Sequence, residues 1–269
     1  MEIILHKNKL IAALKNQKKI GFVPTMGAIH KGHISLIKKS KTLCSITLVS
    51  IFVNKPQFNN TKDYKTYPRL IKKDISLLKK NKVDILYLPN NKQIYPEKRI
   101  KRIKIHSLKK QLCGKNRPSH FEAVANVIDR FIKIIKPEKI FMGEKDLQQL
   151  KIIENFILIN KIPTKIVECK TVREKNGIAY SSRNFLLTKK QKKIASKIYK
   201  LILRKKIRII KKKYLIKKLK KEILSLGAKK IDYLKIVNIN KLIKPYKEKN
   251  KYKLFIAYYL GGTRLIDNI

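Results

Sequence analysis

Acidic residues are scarce: 17 Asp and Glu stand against 67 Lys and Arg in 269 residues, a formal charge of +50. Tryptophan is absent, and the chain has only three cysteines, nine glycines and nine prolines. Cys44, Cys113 and Cys169 are odd in number and far apart, which excludes a disulfide framework and a clustered metal site and points to a reducing cytoplasm. Glycine and proline are too dispersed for a low-complexity linker. No run approaches the roughly 18 apolar residues of a membrane span, and the start "MEIILHKNKLIAALKNQKK" lacks the apolar core of a signal peptide. A soluble, unprocessed protein with no membrane partner is expected.

Apolar residues make up 43% of the chain beside 31% charged, so a packed core is expected and disorder is not. A large positive charge ordinarily suggests nucleic acid. Here the lysines are scattered, as in "SLIKKSK" and "LLKKNKVDILYLPNNK", and read as compositional drift on exposed faces with no specific nucleic-acid partner. The densest run, Arg204 to Lys221, reads as a solvated helix with Ile207, Ile210 and Tyr214 on its apolar side.

Helical and strand patterns alternate. Leu10, Ala13, Leu14 and Gln17 suggest a helix, "KIGFVP" a buried strand, "HISLIKKSK" a helix and "SITLVSIFV" a central parallel strand. A helix over Lys72 to Lys80, the strand "VDILYLP", a helix from Phe121 to Ile135, the strand "KIFMG", a helix from Asp146 and the strand "TKIVECKTV" continue the series. This predicts an α/β fold, a Rossmann-like open parallel sheet over residues 1–172. Thr188 reads as the cap of the first of two Lys-rich helices, and "YLKIV" and "YKLFIAYYL" as strands, so residues 173–269 are expected to form a smaller α+β domain. Ligands of such sheets bind outside the carboxyl ends of the strands, which directs attention to the loops at Pro24, Asn54, Gly143 and Arg173.

Three of these loops carry chemistry. In "VPTMGAIHKGH", His30, Gly32 and His33 follow a strand at a helix start, where free backbone N–H groups and imidazoles suit a phosphate. In "MGEKDLQQL", Lys145 supplies charge, Asp146 an acceptor, and Gln148 and Gln149 two amides. In "AYSSRNFL", two hydroxyls and Arg183 suit a triphosphate. The chain has no G-x-x-x-x-G-K-[ST] loop.

With "SIFVNKPQF", "YPRLIKKD", "RPSHFEAV", "GIAYSSRNFL" and "GGTRLIDN", these blocks resemble the pantothenate synthetases in order and over nearly the whole length, within the wider H-x-G-H nucleotidyltransferases. The resemblance implies ATP-dependent joining of pantoate to β-alanine through a pantoyl-adenylate. It implies ATP contacts at Met26, Gly27, Ala28, Ile29, His30, Lys31, Gly32, His33, Gly143, Glu144, Lys145, Asp146, Val172, Tyr180, Ser181, Ser182 and Arg183. His33, His30, Lys145 and Arg183 would be catalytic, Gln57 and Gln149 would bind the substrate acids, and Asp74 would lie at Mg²⁺. A homodimer is implied, and the smaller domain would close as a lid. The chain departs from the family's Asn-Pro-x-Gln-Phe at Lys55 and Pro56, and from its usual glycines at Ser119 and Ala123.

Overall fold

The computed structural model describes residues 1–97, 103–239 and 252–269. A short strand β1 (Glu2–Ile4) and helix α1 (Lys7–Leu14) precede the unit that shapes the molecule: β2 (Ile20–Thr25), α2 (Lys31–Leu43) and β3 (Ile46–Ile51). β2 and β3 pair in parallel from Ile20 opposite Ile46 to Thr25 opposite Ile51. Phe22, Val23, Leu48 and Val49 are fully buried, as expected of strands covered on both faces. The chain continues through α3 (Thr61–Thr66), α4 (Ile71–Lys80), β4 (Ile85–Tyr87), α5 (Asn91–Ile94), α6 (Cys113–Asn116), α7 (His120–Ile135), β5 (Lys139–Gly143), α8 (Leu147–Ile159) and β6 (Lys165–Cys169).

The six strands form one parallel sheet in the order β1-β4-β3-β2-β5-β6. From β2 the chain winds outward in one direction and later returns to fill the other side with β5. The strand order therefore reverses between β2 and β5, and the loops leaving their carboxyl ends part to leave a crevice. The α/β expectation holds.

Beyond β6, helices α9 (Lys189–Lys211) and α10 (Leu215–Ser225) cover an antiparallel sheet of β7 (Lys230–Asn238), β8 (Tyr252–Leu260) and β9 (Thr263–Asn268). Thr188 caps α9 in a reciprocal pair with Gln191. Ile198, Ile202, Leu219, Ile223, Leu254 and Ile256 share one core there. The smaller α+β unit is thus present. Its inner face also packs on the larger sheet's helices, with Tyr233, Phe255 and Ala257 against Leu147 and Ile152.

Several elements differ from expectation. In α9 the buried stripe is Ala195, Ile198, Ile202 and Ile209, whereas Ile207 is 71% exposed. Two residues from Ile209 is about 200° around a helix, so Ile207 faces away from the core. Tyr214 lies in the break between α9 and α10 and is 69% exposed. α1 ends at Leu14, and Gln17 falls in the following turn. The sequence pattern does not reveal β1 and β9 as strands: the first is three residues long, and the second sits inside a motif read for its polar groups.

Candidate active site

The loop joining β2 to α2 is tied from beneath. Gly27 and Ala28 take positive φ values of 79° and 50°, a conformation that costs an alanine roughly 1–2 kcal/mol. Asp74, on the first turn of α4, offsets this: its Oδ2 accepts from the Ala28 N–H at 2.8 Å and its Oδ1 from the Ile29 N–H at 2.7 Å. Thr25 Oγ1 accepts from the Gly27 N–H at 3.1 Å and donates to the Ser50 carbonyl at 2.7 Å. Ser182 donates to the Gly27 and Ala28 carbonyls, each at 3.3 Å.

Asp74, expected at Mg²⁺, is committed through both carboxylate oxygens to the loop. The residue is 1% exposed, both oxygens are taken by backbone N–H groups, and burial raises its pKa above the usual carboxylate range. It clamps the loop and does not face the crevice. Among the described residues, no group of three or more His, Cys, Asp or Glu side chains is placed to hold a metal ion.

Above this clamp the two histidines lie one on the other, ring centroids 3.9 Å apart and 18° from parallel, with Tyr180 stacked beyond His30 at 6.1 Å. Gly32 makes this possible, since a Cβ there would lie 2.9 Å from Cε1 and 3.0 Å from Nδ1 of His30. Burial, aided by His33 and Lys145, pushes His30 down to about 2, and burial with Lys145 pushes His33 down to about 4. Both rings are therefore neutral near pH 7, and both Nδ1 atoms are buried without a hydrogen-bond partner. α2 begins with no side-chain cap and no acidic residue in its first turn, leaving its N-terminal dipole free for an anion.

On the other side of the crevice, β5 ends at Gly143 and a turn presents Lys145, 3.3 Å from Asp146. Asn268 of β9 holds this turn, donating to the carbonyls of Glu144 at 2.7 Å and Lys145 at 3.0 Å. Of the two glutamines that follow, Gln148 is 5% exposed and spends its amide on the backbone of Leu108, Gln111 and Cys113. Gln149 lines the crevice beside it.

Gln57 lies in a short 3-10 turn, Lys55–Gln57, that accommodates Pro56. Its Oε1 accepts from Asn54 Nδ2 at 3.1 Å, while Asn54 Oδ1 accepts from the Tyr95 hydroxyl at 2.8 Å. This leaves Gln57 Nε2, 3.1 Å from Met26 Sδ, as the donor end at the crevice. Ser119 precedes α7 at φ 60° with no side-chain capping bond, a conformation that explains a glycine preference there. Ala123 is 6% exposed, and its carbonyl accepts from Asn54 Nδ2 at 3.3 Å.

The crevice encloses about 330 Å³. It brings together Met26, His30, Gly32, His33, Gln57, Gly143, Lys145, Asp146, Gln149, Val172, Tyr180, Ser181, Ser182 and Arg183. Gly27, Ala28, Ile29, Lys31 and Glu144 are not in its wall: Ala28 and Ile29 turn their side chains into the core, and Lys31 is exposed. Asn54, whose loop the sequence marks, also lines the crevice, as do Tyr67, Arg117, His120 and Arg264, to which the sequence assigns no role. Arg117 and His120 stand in "RPSHFEAV" and Arg264 in "GGTRLIDN", so the motif blocks were the available signal.

Comparisons with known proteins show the family. The pantoate-beta-alanine ligase family matches residues 2–269. Pantothenate synthetase from Sulfurihydrogenibium sp. is 41% identical, covering 100% of this chain and 99% of that protein. Its counterpart from Caldicellulosiruptor saccharolyticus is 39% identical, covering 98% and 96%. Pantoate-beta-alanine ligase from Francisella tularensis, solved as a complex with beta-gamma ATP and beta-alanine, superposes with a TM-score of 0.86 at 38% identity, covering 100% of this chain and 97% of that one. Pantothenate synthetase from Thermus thermophilus gives 0.91 at 31% identity, covering 100% and 99%. From His30 and His33 on the first crossover to Asn268 on the last strand, the chain belongs to the pantoate–β-alanine ligase family.

Proposed function

We propose that this chain makes pantothenate in two steps, with the residue roles set out here. The pantoate carboxylate attacks the α-phosphorus of ATP and pyrophosphate departs. The β-alanine amine then attacks the acyl carbon, loses a proton, and expels AMP carrying one former pantoate oxygen. The observation that carries the reading is the stacked, neutral His30–His33 pair at the uncapped start of α2, facing Lys145 across the crevice. Neutral imidazoles donate N–H to phosphoryl oxygens as charge builds on them, and Lys145 and Arg183 spread that charge further.

Gln57 offers the pantoate an uncharged donor beside Gln149, orienting the acid while leaving its carboxylate nucleophilic. ATP occupies the side formed by the β2–α2 loop, the Gly143–Asp146 turn, Val172 and Tyr180–Arg183. Magnesium accompanies ATP as the counter-ion of its phosphates, and Asp74 acts on it through the loop it clamps.

Residues 1–172 form the nucleotide- and pantoate-binding domain and 173–269 the smaller one, which covers the adenylate against water. Three free cysteines suit a cytoplasmic enzyme, and no helix among the described residues is long and apolar enough to cross a membrane. The active form is a homodimer. Pantoate labelled with ¹⁸O in its carboxylate tests the chemistry. One label is expected in AMP, with unlabelled pyrophosphate; label in inorganic phosphate with ADP as product overturns it.

A further inference from the structure

Behind the crevice wall a chain of hydrogen bonds runs from a tyrosine to a glutamine of the wall. The Tyr95 hydroxyl donates to Asn54 Oδ1 at 2.8 Å, Asn54 Nδ2 donates to Gln57 Oε1 at 3.1 Å, and Gln57 Nε2 ends 3.1 Å from Met26 Sδ. Asn54, Gln57 and Met26 line the crevice, whereas Tyr95 stands outside its wall. A thioether is a weak acceptor, so the last donor of the chain is open to a stronger one.

The direction of the chain is set at its middle. Asn54 is 1% exposed, and its side chain also meets the Ala123 carbonyl at 3.3 Å. A backbone carbonyl only accepts. The atom of Asn54 beside it is therefore the amide nitrogen, and the oxygen faces Tyr95. That nitrogen serves Ala123 with one hydrogen and Gln57 with the other, which turns the Gln57 oxygen inward and its nitrogen toward the crevice. Half a turn of the Gln57 amide would set two nitrogens against each other.

Both ends are braced separately. Arg117 Nη2 donates to the Gln57 carbonyl at 3.0 Å, and its Nη1 donates to His120 Nε2 at 3.0 Å. The ring proton of His120 then sits on Nδ1, which donates to the same carbonyl at 2.8 Å. With its backbone held, Gln57 has only its amide left to orient. At the other end the Arg130 guanidinium lies 4.8 Å from the Tyr95 ring centroid, and is itself bonded to Asn126 Oδ1 at 2.8 Å and the Ile94 carbonyl at 3.0 Å. Burial pushes the Tyr95 hydroxyl up to about 12, against the pull of Arg130 and of the bond to Asn54, so it keeps the proton it donates. Without that donor Asn54 Oδ1 would be buried and unpaired, a costly state. Asn54 relieves it by rotating or by admitting water, and either change frees the Gln57 amide.

We propose that Tyr95 is a positioning residue for the acid substrate: it does not touch pantoate, but its hydroxyl, relayed through Asn54, keeps the Gln57 N–H aimed into the crevice. This rests on the function proposed above, in which Gln57 meets the pantoate. An amide oriented before binding loses less freedom when the acid arrives. ATP is held by other loops and gains nothing from the relay.

The test follows pantoate-dependent exchange of labelled pyrophosphate into ATP, with pantoate and ATP varied in turn. It compares the wild type, Tyr95→Phe, Gln57→Ala and the double variant. Tyr95→Phe keeps the ring under Arg130 and removes only the hydroxyl. Its KM for pantoate is expected to rise roughly 10-fold, the scale of leaving one buried hydrogen-bonding group unpaired, while its KM for ATP holds. In the Gln57→Ala background the same substitution should add little, because the relay has nothing left to orient. A general loosening of the fold would instead raise both KM values and add its full effect to Gln57→Ala. Equal changes for the two substrates, full additivity in the double variant, or a Tyr95→Phe enzyme that matches the wild type overturns the proposal. Wild-type protein without pantoate-dependent exchange would strike the proposed function instead.

Discussion

Asp74→Asn separates a loop clamp from a metal ligand. An asparagine oxygen replaces one carboxylate oxygen and keeps one N–H satisfied, while its amide nitrogen turns a donor toward the other, now unpaired, N–H. Leaving one buried donor unsatisfied costs about 1–3 kcal/mol, and losing the charge on the remaining bond adds roughly 1 kcal/mol. The positive φ of Ala28 then loses half of what holds it. A destabilisation of about 2–4 kcal/mol lowers Tm by roughly 5–15 °C in a chain of this size. The loop carries His30 and His33, so the KM for ATP should rise several-fold and kcat should fall, at every magnesium concentration alike. Calorimetry and magnesium titrations of initial rate measure both. If Asp74→Asn leaves Tm untouched and instead raises the magnesium concentration for half-activation, the clamp argument is wrong.

Three further outcomes are expected. His33→Ala should leave Tm within a few degrees yet slow pyrophosphate release by roughly 10²–10³, the scale of removing one charge-stabilising donor; near-normal release counts against the phosphate role. Gln57→Ala and Gln149→Ala should raise the KM for pantoate well above any change for ATP, and equal effects would mean the acid lies elsewhere, as steady-state kinetics in both substrates will show. Stability should fall on acidification, because the unfolded chain takes protons at its histidines near 6.5 while His33 resists them until about 4 and His30 until about 2. For His33 this is worth on the order of 2 kcal/mol after allowance for its partial exposure. The contribution is full above pH 6.5 and shrinks toward pH 4, and His33→Ala should flatten that part of a Tm–pH curve.

How far the sequence could be read depended on whether a residue's task follows from its neighbours in the chain. β2 and β3 were legible because burial on both faces demands unbroken apolar runs, and the histidine pair because the spacing itself builds the stack, with Gly32 vacating the space His30 occupies. Gln148 and Gln149 show the limit. Both border the crevice, yet adjacent helical positions differ by about 100°, and only the packing of α8 decides that the Gln148 amide is the one committed to a backbone cradle. Asp74 was legible as an important carboxylate but not as a clamp, because its partners lie 45 and 46 residues away. Arg117 and His120 matter through the Gln57 carbonyl, 60 and 63 residues earlier, which local pattern does not encode.

The side chain of Asn268 bears on how the protein is made. It grips a turn 123 and 124 residues before it in the chain. During synthesis the parallel sheet, its histidines and Lys145 leave the ribosome long before the strand that steadies the Gly143–Asp146 turn exists. At about 5–20 residues per second, several seconds separate the two. In that interval a nascent chain holds one wall of its nucleotide crevice firmly and the other loosely, and ligand binding matures only when β9 docks.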